Sequence, residues 1–191
     1  MRKKKAWAAL LCAGALLCTL CACGAAGTKK ASEDYSSEDA VSLTFSSGGI
    51  TADGSGSGYT VDGTALSISE PGTYILSGTC EDGSVTVKKG TQGVTLVLNG
   101  LALTSADTAP ITCNKSTEVT LLAAQGTENI LADSEQNNDE TYPDNTRAEN
   151  AVIKCKDGSA VTLGGSGTLR ITAKGKNGIK SGAATDTERE A

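Results

Sequence analysis

Residues 94–103 read VTLVLNGLAL, and the triplet that opens this run, Val94-Thr95-Leu96, returns as Val119-Thr120-Leu121 and as Val161-Thr162-Leu163. The steps between copies are 25 and 42 residues. A second column runs through Val85, Ile111, Ile153 and Ile179 at steps of 26, 42 and 26, and Val87, Cys113, Cys155 and Ser181 follow it two residues on. Gly72, Gly100, Gly126 and Gly167 form a looser column at 28, 26 and 41. Each long step equals one ordinary step plus about 16 residues, which residues 134–149, SEQNNDETYPDNTRAE, supply as a polar insertion. Shared periods of this length are the mark of a stacked repeat architecture.

Working outward, the chain from Val41 is a succession of short β-rich runs separated by Gly, Asp and Asn turns, with no sustained helical period. Within a run the alternation has period two. Val94, Leu96, Leu98, Ile111 and Cys113 point one way, and Thr95, Thr112 and Lys154 the other. The expected fold is all-β: a right-handed parallel β-helix of about four coils, starting near Leu66, Val94, Val119 and Val161, with residues 41–65 as an N-terminal strand and cap. A sandwich or jelly roll explains the β content but not the columns. Tyr74 is expected to pack inward. Cys113 and Cys155 are expected side by side as free, buried thiols, because side chains on parallel neighbours keep their Cβ atoms further apart than a disulfide prefers. Cys80 falls at a turn with no evident role.

The N-terminus has a different composition. MRKKK at 1–5 precedes a 17-residue apolar run, Ala6 to Ala22, too short for an ordinary membrane-spanning helix and ending in small residues. Leu20-Cys21-Ala22-Cys23-Gly24 is similar to a bacterial lipobox, which makes residues 1–22 a lipoprotein signal peptide. Cys23 is then the lipid-bearing first residue, anchored in the cell membrane and facing outward. An ordinary cleaved signal ending near Ala26 is the alternative. Residues 23–40, rich in Gly, Ala, Ser and mixed charge, read as a flexible tether. The domain then runs from 41 to 182, followed by a polar tail, 183–191.

Losing the leader removes four basic residues and leaves 13 Lys and Arg against 22 Asp and Glu, a net charge of -9. A chain so acidic is a poor partner for nucleic acid, and its membrane contact is expected through the lipid alone. The chain has no His, so triads and zinc sites built on it are excluded. The single Trp, Trp7, lies in the leader, which leaves few aromatic platforms for a sugar.

The stretches GTYILSGT at 72–79, VTLVLNGL at 94–101 and NAVIKCKDGSAVTLGGSGTLRITAKGKNGIKSG at 150–182, in this order, resemble a family of bacterial, chiefly clostridial, cell-surface lipoproteins, the carbohydrate-binding domain proteins. The resemblance covers about Ile50 to Gly182. It implies a non-catalytic, calcium-assisted binder of cellulose or of pectin-like acidic glycans such as polygalacturonate. It also implies further coils beyond the GIKS strand, so the polar ending AATDTEREA reads as the mark of a shortened gene product.

The insertion is the richest chemical stretch. A hard cation such as calcium takes six to eight oxygens, and Asp133, Asp139, Glu140 and Asp144 are the candidate metal ligands, with amides at Asn137, Asn138 and Asn145 beside them. No EF-hand spacing is present, and a solvated surface loop is the plain alternative. Tyr142 and Arg147 are the candidate sugar contacts, one by stacking and the other by pairing with a uronate carboxylate. Outward Thr, Ser, Asn and Lys ladders offer a second surface. Two other functions remain open: a self-stacking adhesin, and a calcium-dependent polysaccharide lyase using Arg147, Lys154, Arg170 or Lys174 as base.

Overall fold

The computed structural model describes residues 39–53 and 56–183, and the lipobox at Cys23 and residues 184–191 of the tail lie outside the described residues. Fourteen strands are present among the described residues: β1 (Val41–Ser46), β2 (Gly49–Asp53), β3 (Tyr59–Asp62), β4 (Ala65–Ile68), β5 (Gly72–Cys80), β6 (Ser84–Val87), β7 (Val94–Ser105), β8 (Ile111–Cys113), β9 (Glu118–Ala123), β10 (Glu128–Asp133), β11 (Ala151–Cys155), β12 (Ala160–Gly165), β13 (Thr168–Thr172) and β14 (Asn177–Lys180). They form an eight-stranded sheet, with path β12-β9-β7-β5-β1-β2 and β10 joining β7 to β13, and a six-stranded sheet, β14-β11-β8-β6-β4-β3.

The expectation of a right-handed parallel β-helix of about four coils is corrected by this topology. Both sheets are mixed: β1 pairs antiparallel with β2, and β3 antiparallel with β4. The reason lies in the turns. Ser47-Gly48 and Gly63-Thr64 leave two residues between strands, enough for a hairpin, whereas parallel neighbours need a crossover of a dozen residues or more. The remaining pairs are parallel, and there the columns appear as register partners. Val94, Val119 and Val161 align, as do Leu66, Val85, Ile111, Ile153 and Ile179. The glycine column dissolves, because Gly72 pairs with Val94 while Gly100 sits where the β5–β7 register shifts.

That shift bends the larger sheet. Leu76 faces Leu98 but Gly78 faces Leu101, so Asn99 and Gly100 form a bulge, with Gly100 at φ 75°. The buried Asn129 braces it: its Oδ1 accepts from the Gly100 and Leu101 amides at 2.9 and 3.0 Å. Beyond the bend β7 leaves β9 and pairs with β10, Ile130 facing Ala102. Gly78, at φ 91°, must lack a side chain, since a Cβ there would meet the Phe45 carbonyl oxygen at 2.2 Å.

The core fills the space between the sheets. Leu43, Phe45, Tyr74, Leu76, Leu96, Leu98 and Leu121 from the larger sheet meet Leu66, Ile68, Val85, Val87, Ile111 and Ile153 from the smaller one, all buried. Each such side chain contributes roughly 1.5–3 kcal/mol. Cys113 and Cys155 face each other in register, both free and buried, and Cys80 is a third free, buried thiol. A hydrogen bond from Cys113 draws the Cys155 thiol down to about 7 against the opposing effect of burial, and Cys113 itself is pushed up. The outermost layer is less covered: Leu163 is 50% and Ile179 47% exposed.

Candidate functional site

The segment between β10 and β11 carries most of the sequence candidates, and its form is set by buried amides and one buried carboxylate. Asp133 closes β10 with no solvent exposure; its Oδ1 accepts from the Lys174 and Gly175 amides at 2.6 and 3.2 Å, and its Oδ2 from Asn137 Nδ2 at 2.9 Å. Asn137, also fully buried, donates a second bond to the Ala151 carbonyl at 2.9 Å and accepts from the Glu149 and Asn150 amides at 2.7 and 3.1 Å. Asn150 turns the chain back into β11 at φ 61° and accepts from the Asp139 amide at 3.0 Å. Asn138 donates to the Gly175 carbonyl at 3.0 Å, and Asn145 donates to the Asp107 and Gln136 carbonyls, each at 2.7 Å. The loop is therefore cross-braced at four asparagines rather than merely solvated.

These bonds commit several of the candidate metal ligands elsewhere. Among the described residues no three acidic or thiol side chains gather at a point where a cation would sit. Asp133 is spent on three internal hydrogen bonds, Glu140 pairs with Lys176, and the amides at 137, 138 and 145 hold backbone. Asp133, Asp139, Glu140 and Asp144 do not fit a single calcium site, whose six to eight oxygens must converge.

The two sugar candidates fare differently. Tyr142 stands exposed between two clefts. One, of about 510 Å³, is lined by Asp107, Gln136, Thr141, Pro143, Asp144 and Asn145. The other, of about 320 Å³, is lined by Ser134, Glu135, Gln136 and Lys174. Tyr142 and Gln136 belong to both. Arg147 lies apart, on a polar cleft of about 250 Å³ with Asp62, Asp82, Ser84 and Ser105, and its Nη1 pairs with Asp107 Oδ2 at 3.0 Å. Asp107 and Gln136 line these clefts without having been singled out in the sequence, and Lys174, read there only as a possible lyase base, joins Tyr142 and Gln136 in the second cleft. A signal for Asp107 existed: Ser105 is the register partner of Asp133, so 107 lies beside the start of the insertion.

An exposed aromatic ring flanked by carboxylate and amide groups, on a braced loop, is suited to holding a sugar by stacking and hydrogen bonds. The chain belongs to the carbohydrate-binding domain-containing protein family, whose model matches residues 62–186. A carbohydrate-binding domain-containing protein of Acetivibrio thermocellus is 32% identical over 173 residues, 89% of this chain and 59% of that protein. A solved structure, the gadolinium derivative of a polysaccharide lyase-like protein from C. thermocellum, superposes with a TM-score of 0.62 at 31% identity, over 73% of this chain and 54% of that one. The chain thus spans somewhat over half the length of these relatives. Among the described residues no helix is long and apolar enough to cross a membrane.

Proposed function

We propose that the protein is a non-catalytic polysaccharide-binding protein, tethered outside the cell by lipid on Cys23, which holds a chain of cellulose or of a pectin-like glycan across Tyr142. The observation that carries this reading is the position of that ring, shared by two clefts on a loop whose backbone is fixed by Asn137, Asn138, Asn145 and Asn150. A ring between two clefts offers one stacking platform to adjacent sugars, while Asp107, Gln136 and Lys174 offer hydrogen bonds on either side. Retention on insoluble cellulose and on immobilised polygalacturonate tests it. Tyr142→Ala should lower retention about tenfold, a loss of ~1.4 kcal/mol, without moving the melting temperature, since the ring is exposed. Equal retention of variant and wild type on both polymers would remove Tyr142 from the reading.

A second reading, lyase activity, is favoured by the likeness to a polysaccharide lyase-like protein. Elimination needs a free base near the scissile sugar. Arg147 and Arg170 are each tied to a carboxylate, Asp107 and Glu128, at 3.0 and 3.2 Å, which leaves Lys154 and Lys174, without an ion pair among the described residues, as the bases this reading would use. Incubation with polygalacturonate is expected to release no unsaturated uronides absorbing in the ultraviolet; their appearance would reverse the assignment.

A further inference from the structure

One outward row crosses the whole six-stranded sheet. Register pairs Thr60 with Ser67, Ser67 with Thr86, Thr86 with Thr112, Thr112 with Lys154 and Lys154 with Lys180. At a strand spacing of about 4.8 Å the row is ~24 Å long. Its outward direction follows from its neighbours, because Val85, Ile111 and Ile153 are buried in the core. Thr60 is exposed, Ser67, Thr86, Lys154 and Lys180 are partly exposed, and Thr112 is almost covered.

The two lysines are the unusual members. They stand directly opposite each other on β11 and β14, an arrangement of like charges that costs stability. Lys115, Lys156 and Lys176 are paired, with Asp157 at 3.0 Å, Glu149 at 2.6 Å and Glu140, whereas Lys88, Lys89 and Lys174 are unpaired among the described residues but do not stand opposite another lysine in register. Among the described residues neither Lys154 nor Lys180 has a carboxylate within ion-pair distance. The carboxylate of Asp157 is held by Lys115 and by the Ala183 amide. Two ammonium groups on adjacent parallel strands, unpaired among the described residues and about 4.8 Å apart at their backbone anchors, suit a single carboxylate.

We propose that Lys154 and Lys180 bind a uronate carboxylate of an acidic polysaccharide laid across the smaller sheet, with the hydroxyls of Thr86, Ser67 and Thr60 meeting the sugars that follow. The inference rests on the glycan-binding reading above and adds a second binding surface, separate from Tyr142. An attraction of this kind is strong at low salt and fades as ionic strength rises.

The test measures affinity of the purified protein for polygalacturonate and for its fully methyl-esterified form, which lacks the charges. Wild type should prefer the acid form, and K154Q/K180Q should lose at least about tenfold in affinity for it while binding the ester as wild type does. K89Q, at an exposed lysine outside the row, should change neither. Without ligand, K154Q/K180Q should melt at or above the wild-type temperature, because a repulsion has been removed; a fall would show the lysines to be structural and overturn the proposal. If wild type binds polygalacturonate and the double variant binds it equally, or if wild type binds cellulose alone, this inference fails and the glycan-binding reading stands. If wild type binds no polysaccharide, both fail together.

Discussion

Replacing Asn137 with Ala removes four hydrogen bonds at a fully buried position. It strands the Asp133 carboxylate oxygen, the Ala151 carbonyl and two backbone amides. Each buried group left without a partner costs about 1–3 kcal/mol, and the four are coupled, so the sum is not simply additive. The expected loss is about 4 kcal/mol, read as a fall of ~2 M in the urea midpoint at a slope near 2 kcal/mol/M. Asn137→Asp sharpens the test. It keeps the shape but sets a second carboxylate beside Asp133 Oδ2, where the amide nitrogen now sits at 2.9 Å. The new carboxyl must then have a raised pKa in the folded state, so its neutral form is favoured there. Stability relative to wild type is retained below the unfolded carboxyl value of about 3.9 and is lost as pH rises through the folded value. N137D should therefore be closer to wild type at pH 4 than at pH 7. A urea midpoint for N137A within 0.5 M of wild type (~1 kcal/mol), or a pH-independent difference for N137D, would refute the bracing role assigned to this amide.

Leu121 and Leu163 are register partners with contrasting cover, 2% and 50% exposed. Leu121→Ala should cost about 2–5 kcal/mol and Leu163→Ala less than ~1 kcal/mol in chemical denaturation; similar losses would contradict the layered core. Tyr74 donates to the Glu70 carbonyl at 3.1 Å, and burial first, then Glu70, raises its pKa above 10.0. Its contribution is present below pH 10 and is lost as pH rises further, so Tyr74→Phe, weaker than wild type by about 1 kcal/mol at neutral pH, should show a flatter decline above pH 10. Parallel curves would exclude this linkage. Thiolate-selective alkylation at pH 8 should mark Cys155 before Cys113, since the first is lowered to about 7 and the second raised; peptide mass mapping reads the order, and the reverse order would contradict the hydrogen-bonded pair.

The β content, the inward residues and most register columns were legible because a period of two fixes which side chains are buried, and a shared step fixes which strands are neighbours. Val85, Ile111, Ile153 and Ile179 carry that information in their spacing alone. The antiparallel pairs were missed because β1 to β3 fall within residues 41–65, ahead of the first coil, so no column reports their direction; only the two-residue turns do. Within the site, the position of the insertion was plain, but the roles inside it were not. Composition places carboxylates and amides together without saying which face inward, so Asp133 reads as a metal ligand with Asn137 beside it, although both are buried struts. Tyr142 was recognisable as the aromatic ring of that loop, while its clefts depend on Gln136 and Lys174, brought together only by the packing of β10 beside β13.

The two antiparallel hairpins also make the molecule unequal along its length. β2 and β3 seal the first layer, and beneath them Leu43, Phe45, Leu66 and Ile68 are shut away from solvent. At the opposite face β12, β13 and β14 are edge strands as β2 and β3 are, but there Leu163 and Ile179 stand about half exposed. In deuterated buffer, amides should exchange in sequence from those three strands inward, β9, β10 and β11 following, so that the protein unravels by layers from one face while the far layers still hold.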